Sequence, residues 1–117
     1  QVVRVQRHNG KKAVVKTKDA AATIGTMLEE MQQSLYQKQR EFLNTHIVEA
    51  KTVADIKAAA ADAKLSFAFF CGEESCEDDI KEKTEGITSR VVPFDAKKGK
   101  CVNCGKEGLK TYFGKAY

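Results

Sequence analysis

Four cysteines in the last third of the chain, Cys71, Cys76, Cys101 and Cys104, limit what it can fold into more than any other feature. They form a C-x4-C pair and a C-x2-C pair with 24 residues between them, and the chain has no other cysteine. Thiolates at this spacing can converge on one tetrahedral ion, each sulfur about 2.3 Å from the metal. A closed, all-thiolate set leaves no position for water, so the zinc it would take folds the chain and does not catalyse. The second pair reads Cys101-Val102-Asn103-Cys104-Gly105. Glycine there suits a tight knuckle, because it tolerates positive φ where backbone N–H groups turn toward sulfur. Two disulfides or four unrelated thiols are the competing readings of the same residues. A thiol oxidoreductase using Cys101 and Cys104 is the weaker functional alternative. A redox C-x-x-C opens a helix after a strand, whereas here glycine follows and a second cysteine pair exists.

Charge divides the chain where the cysteines do. Residues 1–44 hold eight Lys/Arg against four Asp/Glu, and residues 45–117 hold twelve of each, so the net +4 lies wholly outside the cysteine region. A mild basic excess is compatible with nucleic acid nearby but is weak evidence for it, and a solvated surface is the plainer reading. No apolar run approaches the roughly 20 residues that span a bilayer. The N-terminus alternates charge with valine and lacks the apolar core of a signal peptide. Metal-type cysteine spacing fits a reducing, intracellular compartment. A start at Gln1 and not methionine reads as the edge of a fragment or excised domain.

The order of elements follows from punctuation and period. Residues 2–7 and 12–16 are rich in β-branched residues and flank Asn9-Gly10, a strong hairpin signal. Arg4, Arg7, Lys11, Lys12 and Lys16 decorate this hairpin, and His8 beside the turn reads as exposed. A lone hairpin is marginal in water, which suggests that the first strands of its sheet are missing. Ile24, Leu28, Met31, Leu35 and Phe42 form one stripe at helical period, widened by Met27 and Leu43, and predict a helix over residues 19–44 with Thr17 or Asp19 as its cap. Ile47-Val48-Glu49-Ala50 reads as a short apolar link. Thr52 caps a second helix over 53–63, and Leu65–Phe70 is a strand that delivers Cys71. A short helix is expected over 77–84, acidic in its first turn and stopped by Gly86. Ile87–Phe94 reads as a strand with Pro93 at an edge or end. Lys97–Lys100 reads as a basic loop, and Tyr112-Phe113 as part of a last short strand. His46 is a stray ligand candidate that four cysteines make unnecessary.

Taken together, Cys71-Gly72, Cys76-Glu77, Ile80-Lys81, Thr84, Arg90-Val91-Val92-Pro93-Phe94, Cys101-x2-Cys104-Gly105-Lys106 and Phe113-Gly114-Lys115-Ala116-Tyr117 resemble the C-terminal zinc-binding domain of prolyl-tRNA synthetase of the archaeal/eukaryotic type. The hairpin and long helix, with Leu28-Glu29-Glu30-Met31-Gln32, resemble the end of that enzyme's anticodon-binding domain. The resemblance implies an α/β (α+β) architecture, with residues 1–44 closing the anticodon-binding domain and 45–117 forming a small zinc domain. It implies a class II ligase that activates proline with ATP and charges tRNA(Pro). ATP and Mg would act only in a catalytic domain upstream of this stretch, so no residue here is catalytic and no tRNA-reading residue can be named. A cytoplasmic, homodimeric full enzyme is implied too. An aromatic end without a polar tail suggests that the Tyr117 carboxylate docks elsewhere, and the resemblance directs it toward the catalytic domain. The alternative is an independent zinc-containing RNA- or protein-binding module.

Overall fold

The computed structural model describes residues 10–116 in full and residues 2–6 as backbone. Two compact units divide between Leu43 and Asn44.

In the first unit, strands β1 (Val2–Gln6) and β2 (Lys12–Lys16) pair antiparallel from Val2 opposite Lys16 to Gln6 opposite Lys12. Gly10, at φ 79°, supplies the left-handed turn that a hairpin of this hand requires. Arg7, His8 and Asn9 lie outside the described residues. A 3-10 turn, Thr17–Asp19, leads into helix α1 (Ala20–Thr45), which matches the expected helix to within a residue at each end. Its apolar stripe does not make a core. Ile24, Leu28, Leu35, Phe42 and Leu43 are exposed, Met27 and Met31 are half-buried, and among the described residues α1 has none that is buried.

The second unit is α+β and closes on its own core. Its elements are β3 (Ile47–Glu49), α2 (Val53–Ala61), β4 (Leu65–Phe70), α3 (Glu74–Lys83), β5 (Ile87–Val91), β6 (Lys98–Lys100) and β7 (Glu107–Lys115). The sheet order is β3-β4-β7-β5, with β6 also on β7. Only β3 and β4 are parallel, as a crossover through α2 demands. Side chains alternate along β4, where Ser66, Ala68 and Phe70 are buried and Leu65, Phe67 and Phe69 are less so. The buried face meets Ile56 of α2, Ile80 of α3, Ile87 of β5 and Phe113 of β7 in one cluster. Phe70 and Phe113 pack edge to face at 5.6 Å. Gly108 lets β7 approach the end of β4, since any Cβ there would collide with the Phe70 carbonyl.

Both helices of this unit are bounded by side chains and backbone that the sequence supplies. Thr52 accepts a hydrogen bond from the Asp55 N–H at 3.1 Å, and Asp55 accepts one from the Thr52 N–H at 3.0 Å, a reciprocal capping box. Helix α3 ends with the Gly86 N–H donating to the Lys81 carbonyl at 2.8 Å and that of Glu85 to Glu82 at 3.3 Å, a Schellman closure with Glu85 in the left-handed region.

Five expectations need correction. Ile47–Glu49 is not a link but an edge strand, because its N–H and C=O groups find β4. Helix α3 starts at Glu74, so Cys76 lies inside it and not before it. The strand at Ile87 ends at Val91, with a bulge between Ser89 and Val91, and Pro93 lies beyond its end where a missing N–H costs nothing. Lys98–Lys100 is a strand on β7 and not a loop. The last strand is not short: β7 has nine residues and is the centre of the sheet.

Candidate metal centre

Each cysteine is delivered by a different piece of the second unit. Cys71 follows β4 directly, and Gly72, at φ 80°, turns the chain away so that α3 can begin. Cys76 sits near the start of α3, its N–H donating to the Glu73 carbonyl at 3.1 Å. Cys101 follows β6, and Cys104 lies in the turn after it. That turn is closed by backbone: the Cys101 N–H donates to the Lys106 carbonyl at 2.7 Å, and the Gly105 N–H donates to the Cys101 carbonyl at 2.9 Å. Gly105 has φ 75°, the positive value its place in the knuckle called for. The Val102 N–H donates to the Phe69 carbonyl at 2.9 Å, which ties the knuckle to the strand carrying Cys71.

The four sulfurs converge. All lie within 4.8 Å of one another, with Cys71 and Cys104 3.7 Å apart. A regular tetrahedron with metal–sulfur bonds of about 2.3 Å has edges of about 3.8 Å, so the sulfurs are close enough together to hold a metal ion. All four cysteines are free thiols. Cys76 and Cys101 are buried, Cys71 is half-buried and Cys104 is exposed. His46 is not part of the group; its Nδ1 lies 3.1 Å from the Thr45 hydroxyl.

Burial, backbone N–H groups and neighbouring sulfurs move the titration of Cys71, Cys101 and Cys104 in opposite directions. Burial, joined by the sulfurs of Cys76, Cys104 and Cys101 and opposed by the Glu73 N–H, pushes the Cys71 thiol up to about 12. Burial also raises Cys101, but N–H groups of Cys104, Asn103 and Cys71 outweigh it and bring that thiol down to about 7. At Cys104 the Lys106 N–H favours the thiolate, yet burial and the sulfurs of Cys76 and Cys101 win and raise it. A divalent ion held by these sulfurs would displace their protons to solvent, because thiolates are the ligands and the ion would offset their mutual repulsion. Backbone N–H groups already aimed at Cys101 belong to the same design.

One side chain that the cysteine spacing did not single out belongs to this centre. Asn103, between the two cysteines of the second knuckle, donates from Nδ2 to the Cys76 sulfur at 3.4 Å and to Asp79 Oδ2 at 3.1 Å. Its Oδ1 accepts from Lys83 Nζ at 2.9 Å. The only signal in the sequence was its position between two ligands. Tyr117, the other singled-out residue, lies outside the described residues.

Residues 53–117 match the family described as "Prolyl-tRNA synthetase, C-terminal". All four cysteines fall in that stretch. A proline–tRNA ligase of Lachnoclostridium phytofermentans is 39% identical over 122 residues, covering 100% of this chain and 25% of its own length. Those of Clostridium novyi and Oceanobacillus iheyensis are 36% and 34% identical, again over 100% of this chain and 25% of theirs. The chain thus spans about a quarter of the length of the curated relatives it matches.

Proposed function

The chain belongs to the prolyl-tRNA synthetase C-terminal family, and from that premise we propose that it works as the C-terminal part of a proline–tRNA ligase. The match of residues 53–117 to that family carries the reading. The parent enzyme is a class II synthetase that activates proline with ATP and transfers it to tRNA(Pro). ATP and Mg would act in a catalytic domain beyond this stretch, and no residue of 1–117 is assigned to that chemistry. The proposed type is the archaeal/eukaryotic one, a statement of architecture that bacterial relatives can share. Residues 1–44 would close the anticodon-binding domain and 45–117 form the zinc domain. The whole enzyme would be a cytoplasmic homodimer; among the described residues no helix is long and apolar enough to cross a membrane.

The proposed role of the second unit is structural. Cys71, Cys76, Cys101 and Cys104 would hold one zinc, which supplies a fourfold cross-link between β4, α3 and the knuckle and leaves no open position for chemistry. That role supports placing Tyr117 against the catalytic domain, since a rigid β7 would aim the chain end. The full-length protein should exchange pyrophosphate into ATP only with proline and should charge tRNA(Pro), whereas residues 1–117 alone should do neither. A full-length protein that activates a different amino acid, or none, would overturn the reading. Deleting Ala116 and Tyr117 from the full enzyme should lower charging while zinc content stays the same.

An independent RNA-binding module is the second reading, and the charge of residues 1–44 is what favours it. Phosphate contacts position without reading bases, so the isolated chain should bind tRNA weakly, with affinity falling steeply as salt rises. Tight tRNA(Pro)-selective binding by residues 1–117 would contradict this and would mean that the reading surface lies in this stretch.

A further inference from the structure

Two halves of the cysteine cluster come from distant parts of the sequence, and a neutral side chain joins them. Asn103 stands inside the C-x2-C knuckle, yet its amide hydrogen-bonds the sulfur of Cys76, which belongs to the C-x4-C pair. Its remaining partners, Asp79 and Lys83, lie on the same helix as Cys76. Cys76, Asp79 and Lys83 are spaced i, i+3 and i+7, which puts them along one face of α3. The helix therefore presents a sulfur, a carboxylate and an ammonium in a row, and the Asn103 amide lies across all three.

The orientation of that amide is fixed by charge. Nδ2 can donate two hydrogen bonds, and it faces two acceptors, the Cys76 sulfur and the Asp79 carboxylate. Oδ1 can only accept, and it faces the Lys83 ammonium. Turning the amide over would set its oxygen against two anionic groups and its NH2 against a cation. With the cysteines as thiolates, the N–H to sulfur bond becomes charge-assisted and strengthens.

We propose that Asn103 is a positioning residue for the metal centre: it latches the second knuckle onto α3 through Cys76, so that the four sulfurs reach metal-binding distance together. The inference rests on the reading of the cluster as a zinc site. It assigns to one side chain the role that outer hydrogen-bond partners play around metal ligands, where loss costs 10- to 100-fold in affinity. Asp79 and Lys83 are the anchors that keep the amide in place.

The test separates this role from turn chemistry. Asparagine and aspartate both favour turns, so a residue kept only for the knuckle's backbone would tolerate Asn103→Asp. A residue kept for its NH2 would not, since a carboxylate there faces Asp79 and the Cys76 thiolate. Zinc affinity of the whole chain, measured by competition with a chromogenic chelator, should fall 10- to 100-fold in Asn103→Ala and further in Asn103→Asp. Cobalt-loaded protein should show a shifted sulfur-to-metal charge-transfer band in both, because the sulfur has lost a hydrogen bond. Affinity and band unchanged in Asn103→Asp would overturn the inference. Should the Asn103 variants fail to fold with saturating metal, Lys83→Ala, which leaves the knuckle sequence intact, decides: a several-fold loss supports the latch and wild-type affinity overturns it. A wild-type chain that binds no zinc and no cobalt would overturn the zinc reading itself and the latch with it.

Discussion

Among the described residues helix α1, 26 residues long, has none that is buried, whereas α2 has nine and buries Ile56 and Ala59. Both carry apolar residues at helical spacing. A nine-residue helix is too short to persist alone in water. It exists here because Thr52 and Asp55 cap it and because Ile56 reaches the core formed by Ala68, Phe70 and Phe113. The stripe on α1 has the right period but meets no core among the described residues. Periodicity states which face a helix would bury; whether it is buried depends on what the rest of the chain brings to that face. The same contrast separates the units. The second has a sheet with a covered face and a cysteine cluster, and the first has a two-stranded hairpin and an exposed helix.

The largest expected effect comes from taking the metal away. Structural zinc contributes on the order of 10 kcal/mol to folding in small modules. Chelation should abolish amide protection in β4, α3 and β7 and leave exchange in α1 unchanged. Equal loss of protection in α1 would break the comparison, since it would mean that the helix depends on the cysteine unit.

Next in size is the core. Phe113 is 1% exposed and Leu28 is 59% exposed. Phe113→Ala should cost about 3–5 kcal/mol in chemical denaturation. Leu28→Ala should cost no more than about 0.5 kcal/mol in the same chain. A Leu28 variant as damaging as the Phe113 one would show that the stripe is covered.

How much of this was legible beforehand follows from these residues. The cysteine cluster, the strand Leu65–Phe70, the Thr52 cap and the extent of α1 could be read because each has a local cause: spacing, β-branched and aromatic content, a capping side chain, a period. Strands β3 and β6 and the full length of β7 could not, because their cause is the neighbour. Ile47–Glu49 and Lys98–Lys100 are three residues each, too short to show alternation. Strand β7 contains Gly108, Gly114 and two lysines, which hide how far it extends around Tyr112-Phe113. Gly108 is there because the Phe70 backbone passes too close for a side chain, and Lys110 lies 3.9 Å from the Phe67 ring centre, a contact that pattern alone cannot forecast. Asn103 was hidden likewise, since its partners are up to 27 positions away.

Smaller effects sharpen the contrast between the helices. Thr52→Ala should cost about 1 kcal/mol. Asp55 titrates below its usual 3.8 because the Lys51 N–H and the Thr52 side chain hydrogen-bond its charged form. A carboxyl lowered on folding stabilises the fold above its unfolded value, so the contribution of the Asp55 half of the cap should be intact above pH 3.8 and be lost as pH falls through the native value. Circular dichroism against pH should show Asp55→Ala and wild type converging in that acid range. Smallest of all, Glu85→Gly should raise Tm slightly, because Glu85 sits at φ 62° where glycine carries no strain. A lowered Tm would mean that its ion pair with Lys57, at 2.7 Å, outweighs the backbone.

The central claim is that a metal closes the second unit, and elemental analysis of the chain purified under reducing conditions without added metal tests it most directly. The account predicts one zinc per chain, with the four thiols resisting alkylation until a chelator is added. A fully folded, metal-free chain, with its cysteines alkylated freely or paired as disulfides, would contradict it.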